Sequence, residues 1–175
     1  SSSGSIMLSW VTTASSSRLV SDGLEARAIA WRRHLHANPE LSFEEHETAA
    51  FIEQTLRSFG GLEIERPAGT AVVARLHGAR PGKVVVLRAD TDALPIHEEN
   101  DVPYRSQNDG RMHACGHDCH TSILLGIAKH VVRDAASFPG QIKLCFQPAE
   151  EWGGGAVAMI NDGALEGPKP DAAFG

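Results

Sequence analysis

The stretch RMHACGHDCH, residues 111–120, gathers three histidines, two cysteines and an aspartate. Cys115 and His117 flank Gly116, which lacks a Cβ and lets the backbone bend until both side chains face one centre. A thiolate and an imidazole are good ligands for zinc and similar divalent ions. Glu150 and Glu151 lie at the end of an apolar run. Adjacent carboxylates there cost repulsion and desolvation unless a cation or a shared proton offsets them. Asp90 and Asp92 end another apolar run with Thr91 between them. Alternation in an extended segment aims both aspartates to one side. They suit either turn chemistry or the bracing of a ligand histidine, a support that metal sites commonly need. A buried cysteine beside a surface histidine, and a solvated glutamate pair, remain the plainer alternatives.

The other thiols and imidazoles attract less chemistry. Cys115 and Cys119 have C-x-x-x-C spacing rather than the C-x-x-C of redox motifs, so no redox role is expected. Cys145 sits inside an apolar run and reads as packing. His34, His36, His46, His77, His97 and His130 lack companion ligands at useful spacing and read as structural or surface residues.

The elements that must position these residues follow from periodicity. Leu24, Ala28, Trp31 and Leu35 recur at helical steps, and Pro39 disfavours helix at Asn38. Ser42 followed by Glu45 has capping-box spacing and predicts a second helix through Ala49, Ile52 and Leu56, stopped by FGG. EIER, TAVVARLHG and KVVVLRAD are rich in β-branched residues and predict strands. The third reads as buried on both faces. TSILLGIAKHVVRDAA returns to helical spacing with Ile123, Ile127, Val131 and Ala135 as its apolar stripe. QIKLCF predicts a buried strand, AVAMIND a short helix closed near Gly163, and DAAFG a further strand. Helices alternating with strands imply an α/β fold: a layered, largely parallel or mixed sheet with flanking helices. In such sheets ligands bind beyond the carboxyl ends of strands, where RADTDALP and QPAEEWGGG are expected, with HACGHD just before the long helix.

Composition bounds the partners. The 175 residues suffice for one domain, and 42% hydrophobic with 22% charged residues is ordinary for a soluble globular chain. A net charge of −6 gives no footprint for nucleic acid, and no apolar run is long enough to span a bilayer. Three cysteines are too few and odd in number for a disulfide scaffold, which favours a reducing, cytoplasmic setting. Residues 1–21 are Ser- and Thr-rich without the basic start and apolar core of a signal peptide, and are expected to be a leader or tail outside the fold. The domain is expected to occupy residues 22–175.

RRHLHANPELSFEEHET, VVLRADTDALPI, MHACGHDCHTSILLGIA and FQPAEEWGGGA together resemble the M20 metallopeptidase family, above all its amidohydrolase branch of hippurate, N-acyl-amino-acid and auxin-conjugate hydrolases. The resemblance runs from about Leu24 to Gly175 and implies a two-metal hydrolase holding Zn, Mn, Ni or Co ions. By motif position it implies Cys115 as a bridging ligand, His117 as a ligand to one ion and Glu151 as another ligand. Glu150 becomes the general base and Asp90 the aspartate behind the metal site. Arg88 stands where other branches place a ligand histidine, and Cys119 carries no expected role.

The family pattern also implies a chain about twice this long, with an inserted lid or dimerisation domain and two further ligand histidines. The sequence is therefore read as the N-terminal portion of an incomplete catalytic domain, inactive as it stands. The implied substrate is a small N-acyl amino acid or a short peptide, with no nucleic acid or membrane partner and homo-oligomerisation left open. A carboxypeptidase or dipeptidase of the same superfamily is the neighbouring alternative. A non-catalytic metal-binding or interaction fragment is the alternative from another class.

Overall fold

The computed structural model describes residues 23–175, so the expected leader at 1–21 lies outside the described residues. Two helices open the fold: α1 (Leu24–Ala37) and α2 (His46–Phe59). Strands β1 (Glu63–Glu65), β2 (Val72–His77) and β3 (Arg80–Asp90) follow. The chain then runs through a long loop to α3 (His117–Arg133), β4 (Pro139–Gln147), α4 (Gly155–Asn161) and β5 (Ala172–Phe174). The sheet order is β1-β2-β4-β3-β5. β3 runs parallel to β4 and β5, whereas β2 is antiparallel to β1 and β4. The sheet is thus mixed, parallel in the half that carries the site.

Period-two alternation sorts side chains to two cores. Val72 and Ala74 of β2, Ala89 of β3 and Leu144 and Phe146 of β4 face one side, where Ile52 and Leu56 of α2 and Leu124, Leu125 and Ala128 of α3 cover them. Val73, Val86 and Cys145 face the other, against Met159 of α4 and Ala164. Truncating a fully buried side chain such as Leu56 to Ala is worth about 2–5 kcal/mol. Burial of Cys145 pushes its thiol up to about 11, as befits a packing residue.

Two local expectations are corrected. The stripe Ile123, Ile127, Val131 is not the buried face of α3: Ile123 is 60% exposed, while Leu124 and Leu125 are buried. The helix is apolar over a wide arc, and spacing alone does not fix which edge of the arc meets the sheet. Ser42 and Glu45 form no capping box. The helix starts at His46 without a side-chain cap from Glu45, and Ser42 Oγ donates to Asp92. Glu40 does the capping work instead, accepting from the backbone N–H groups of Glu47 (3.1 Å) and Thr48 (2.7 Å).

Candidate metal centre

Because β3 and β4 are parallel and in register, with Asp90 opposite Gln147, the segments after them emerge at one edge. The start of α3 meets them there. Gly116, at φ +93, makes the turn into the helix. Cys115, His117 and Glu151 bring a thiol, an imidazole and a carboxylate within 4.8 Å of one another. His117 is buried, and its Nδ1 donates to the Asp92 carbonyl at 2.8 Å. In the neutral ring that bond fixes the tautomer, so Nε2 is the nitrogen that can bind a cation. Nε2 lies 3.8 Å from Glu151 Oε1 and 3.7 Å from Glu150 Oε2. Glu151 Oε1 is sealed from solvent without a hydrogen-bond partner, a costly state for a carboxylate oxygen unless a cation completes it.

Asp92 organises this centre. Its Oδ1 accepts from Glu150 N and its Oδ2 from Glu151 N, both at 3.1 Å, and Ser42 Oγ donates at 2.6 Å. Burial alone would raise this carboxyl, but the bonds from His117, Ser42 and the two backbone N–H groups hold it down at about 2. Burial disfavours the charged form of His117, yet Asp92 and Asp90 keep its pKa above the usual value. The Cys115 thiol is also raised. The neighbouring Glu151 carboxylate favours the protonated thiol most, and desolvation and the charges of Glu151, Glu150 and Asp90 disfavour the thiolate further.

A second donor set, Asp90, His117 and His120, shares His117. Arg88 Nη1 sits 2.8 Å from Asp90 Oδ2, and His120 Nδ1 2.7 Å from Asp90 Oδ1. A cation placed on Asp90 meets the Arg88 guanidinium, so Cys115, His117 and Glu151 form the better cation site. The sequence reading put Asp90 behind the ligand histidine. The structure sets Asp92 on Nδ1 and Asp90 on the Nε2 side at 3.6 Å. The D-x-D spacing made both aspartates visible but not their order around the ring. His120 was missed, and its only signal was its place one helical turn after His117.

Alternation had a further consequence at the glutamates. Both reach the centre because PAEE leaves strand geometry: Ala149 has φ +51, and its N–H is held by Glu45 Oε1 at 2.8 Å. Glu45 is itself fully buried, with Oε2 accepting from Thr70. Desolvation raises its pKa despite those bonds.

A mixed sheet that brings thiol, imidazole and paired carboxylates to the carboxyl edge of its parallel strands has the build of an α/β domain with a candidate metal centre. The model of peptidase family M20/M25/M40 matches residues 86–175, and the chain belongs to that family. It is 54% identical over 151 residues to an N-acyl-L-amino acid amidohydrolase of Geobacillus stearothermophilus, covering 86% of this chain and 40% of the relative. It is 48% identical to thermostable carboxypeptidase 2 of Saccharolobus solfataricus, covering 82% of this chain and 37% of that protein. Among solved structures it resembles the Bacillus subtilis YXEP protein, a dinuclear metal binding peptidase from the M20 family. That match has a TM-score of 0.84 and 41% identity over 89% of this chain and 43% of the other. The chain therefore spans about 40% of the length of these relatives. Among the described residues, no helix is long and apolar enough to cross a membrane.

Proposed function

We propose that this chain forms the metal-binding part of an amidohydrolase that cleaves the amide bond of N-acyl amino acids. The observation that carries the reading is the convergence of Cys115, His117 and Glu151 on one point with the Glu150 carboxylate beside it. The donor set fits a divalent ion such as zinc: a soft thiol, an imidazole whose Nδ1 is engaged so that Nε2 faces the site, and a buried carboxylate oxygen without a hydrogen-bond partner. Cys115, His117 and Glu151 would hold it. When bound, the ion polarises the amide carbonyl and lowers the pKa of water.

The chain's own residues do the rest. Asp92 orients His117 and fixes both glutamate backbones. Glu150, with its side chain 40% exposed, is the freer of the two carboxylates to take a proton from water and pass it to the leaving nitrogen. Glu151, deeper at 21%, is placed to stay with the cation.

The second reading is a carboxypeptidase, favoured by the 48% identity to such an enzyme. The discriminating experiment uses metal-loaded protein of the length its relatives have. It measures free amino acid released from N-acetyl and N-benzoyl amino acids beside trimming of short peptides. Amide cleavage that Glu150→Gln abolishes supports the proposal, and peptide trimming alone favours the carboxypeptidase. Turnover of neither, with metal bound, overturns both.

A further inference from the structure

Beside the candidate centre, outside its donor set, lies a second buried polar cluster. His36, at the end of α1, is 4% exposed. Its Nδ1 is 2.7 Å from Asp118 Oδ2 and its Nε2 3.0 Å from Glu98 Oε1. Asp118 and Glu98 are buried too, at 1% and 3%. Arg32 Nε stands 2.9 Å from the same Asp118 oxygen, and the Tyr104 ring meets His36 edge-on at 5.7 Å. Glu98 also accepts from Ser106 N and Asn100 Nδ2.

A carboxylate oxygen accepts, so a ring nitrogen facing an ionised one donates. The two nitrogens of His36 face two different carboxylates at hydrogen-bond distance, so the imidazole bridges Asp118 and Glu98. Arg32 supports the Asp118 end: its Nε meets the same carboxylate oxygen, and its Nη2 comes to 3.3 Å from His36 Nδ1.

The two carboxylates belong to different segments. Glu98 lies in the loop that leads to Cys115, and Asp118 is the second residue of α3, next to His117. One side chain on α1 thus ties the loop that carries the thiol to the helix turn that carries the His117 imidazole. We infer that His36 is a positioning residue for the candidate metal centre: its two side-chain contacts, to Glu98 and to Asp118, hold the loop of Glu98 against the first turn of α3 and so set the separation of Cys115 and His117. This rests on the reading of Cys115 and His117 as metal ligands.

The test is Co²⁺ titration of the chain, reading the thiolate-to-cobalt absorption band and the dissociation constant, with circular dichroism as a check on folding. The unsubstituted chain is expected to show a band that Cys115→Ser removes. His36→Gln can donate to only one of the two carboxylates in this geometry. It is expected to keep its helix content while the band weakens and affinity falls about 10-fold or more, the scale of lost support behind a metal ligand. His36→Gln/Glu98→Gln, in which two amides can donate to and accept from each other, is expected to recover part of both. Glu98→Ala frees the loop from the other end, and the same loss is expected there even where His36→Gln does not fold. Variants that lose stability but keep the wild-type band and affinity overturn the positioning role alone. A wild-type chain without any Cys115-dependent band overturns it together with the ligand reading.

Discussion

Asp92 touches His117 twice, with its carbonyl oxygen 2.8 Å and its carboxylate Oδ1 3.3 Å from Nδ1. The same carboxylate accepts the N–H groups of Glu150 and Glu151, so one side chain aligns the imidazole and both glutamates. Asp92→Ala keeps the bond from His117 Nδ1 to the backbone carbonyl but removes the carboxylate beside the ring and the anchor of both glutamate N–H groups, and is expected to lower divalent-metal affinity by about 10–100-fold in calorimetric titration. Asp90→Ala leaves those contacts intact and is expected to cost less. Equal or inverted losses would assign the bracing role to Asp90.

The glutamate doublet separates by depth and by partner. Glu151→Gln is expected to weaken Zn²⁺ or Mn²⁺ binding, with excess metal restoring part of the hydrolysis in protein of the relatives' length. Glu150→Gln is expected to keep its metal but lose at least about 10²-fold in turnover, the scale of a missing general base. Metal content and amino acid release, measured on both, decide the matter. A Glu150 variant that loses metal while the Glu151 variant keeps it exchanges the two roles.

Much of this arrangement was legible in the sequence, because strong periodicity and dense polar clusters both survive into three dimensions. Strand runs ending in RAD and FQ placed the aspartates and glutamates at one edge once β3 and β4 paired in parallel. What was not legible depended on pairings distant in sequence. Glu45 looks like part of a capping box, yet its carboxylate crosses 104 residues to hold Ala149 N. His36 looks like an isolated histidine until Glu98 and Asp118 close on it. The antiparallel half of the sheet was likewise invisible, since alternation reads the same in either direction.

Two buried glutamates are expected to give pH dependences of opposite sign. Glu98 is held at about 2, below its ordinary 4.5: burial opposes this, but the bonds from Ser106 N, His36 and Asn100 prevail. Its contribution is present above about pH 4.5 and is lost as pH falls toward 2, where the native carboxylate finally takes up a proton. Glu45 is shifted the other way, raised by burial. Its contribution is complete below the unfolded value of 4.5 and declines as pH rises through the native one. Urea midpoints followed from pH 2 to 8 are the measurement. Glu98→Gln is expected to flatten the acid limb. Glu45→Gln, whose amide can still accept from Ala149 N and donate to Thr70 Oγ, is expected to gain stability relative to wild type as pH rises from 4 to 7. If both substitutions change the profile in the same sense, this account of the two groups is wrong.

The turn that presents the glutamates depends on one glycine more than on its neighbours. Ala149 is already in a left-handed conformation, and its carbonyl receives Gly155 N at 3.2 Å as α4 begins. A Cβ on Gly155 would fall 1.6 Å from the Pro148 carbonyl oxygen, which is backbone and has no rotamer to yield. Gly153 offers the contrast: φ is +71 there, but nothing lies within 4 Å of its Cβ position. Gly153→Ala should therefore cost only the left-handed backbone penalty of about 1–2 kcal/mol and leave metal affinity near wild type. Gly155→Ala must push Pro148 and the PAEE turn outward, drawing Glu150 and Glu151 off the Asp92 carboxylate that anchors them. Its metal affinity is expected to fall by at least about 10-fold, well beyond the Gly153 variant in the same calorimetric titration. A Gly155→Ala protein that binds Zn²⁺ like wild type would show that the glutamate turn can shift without disturbing the centre.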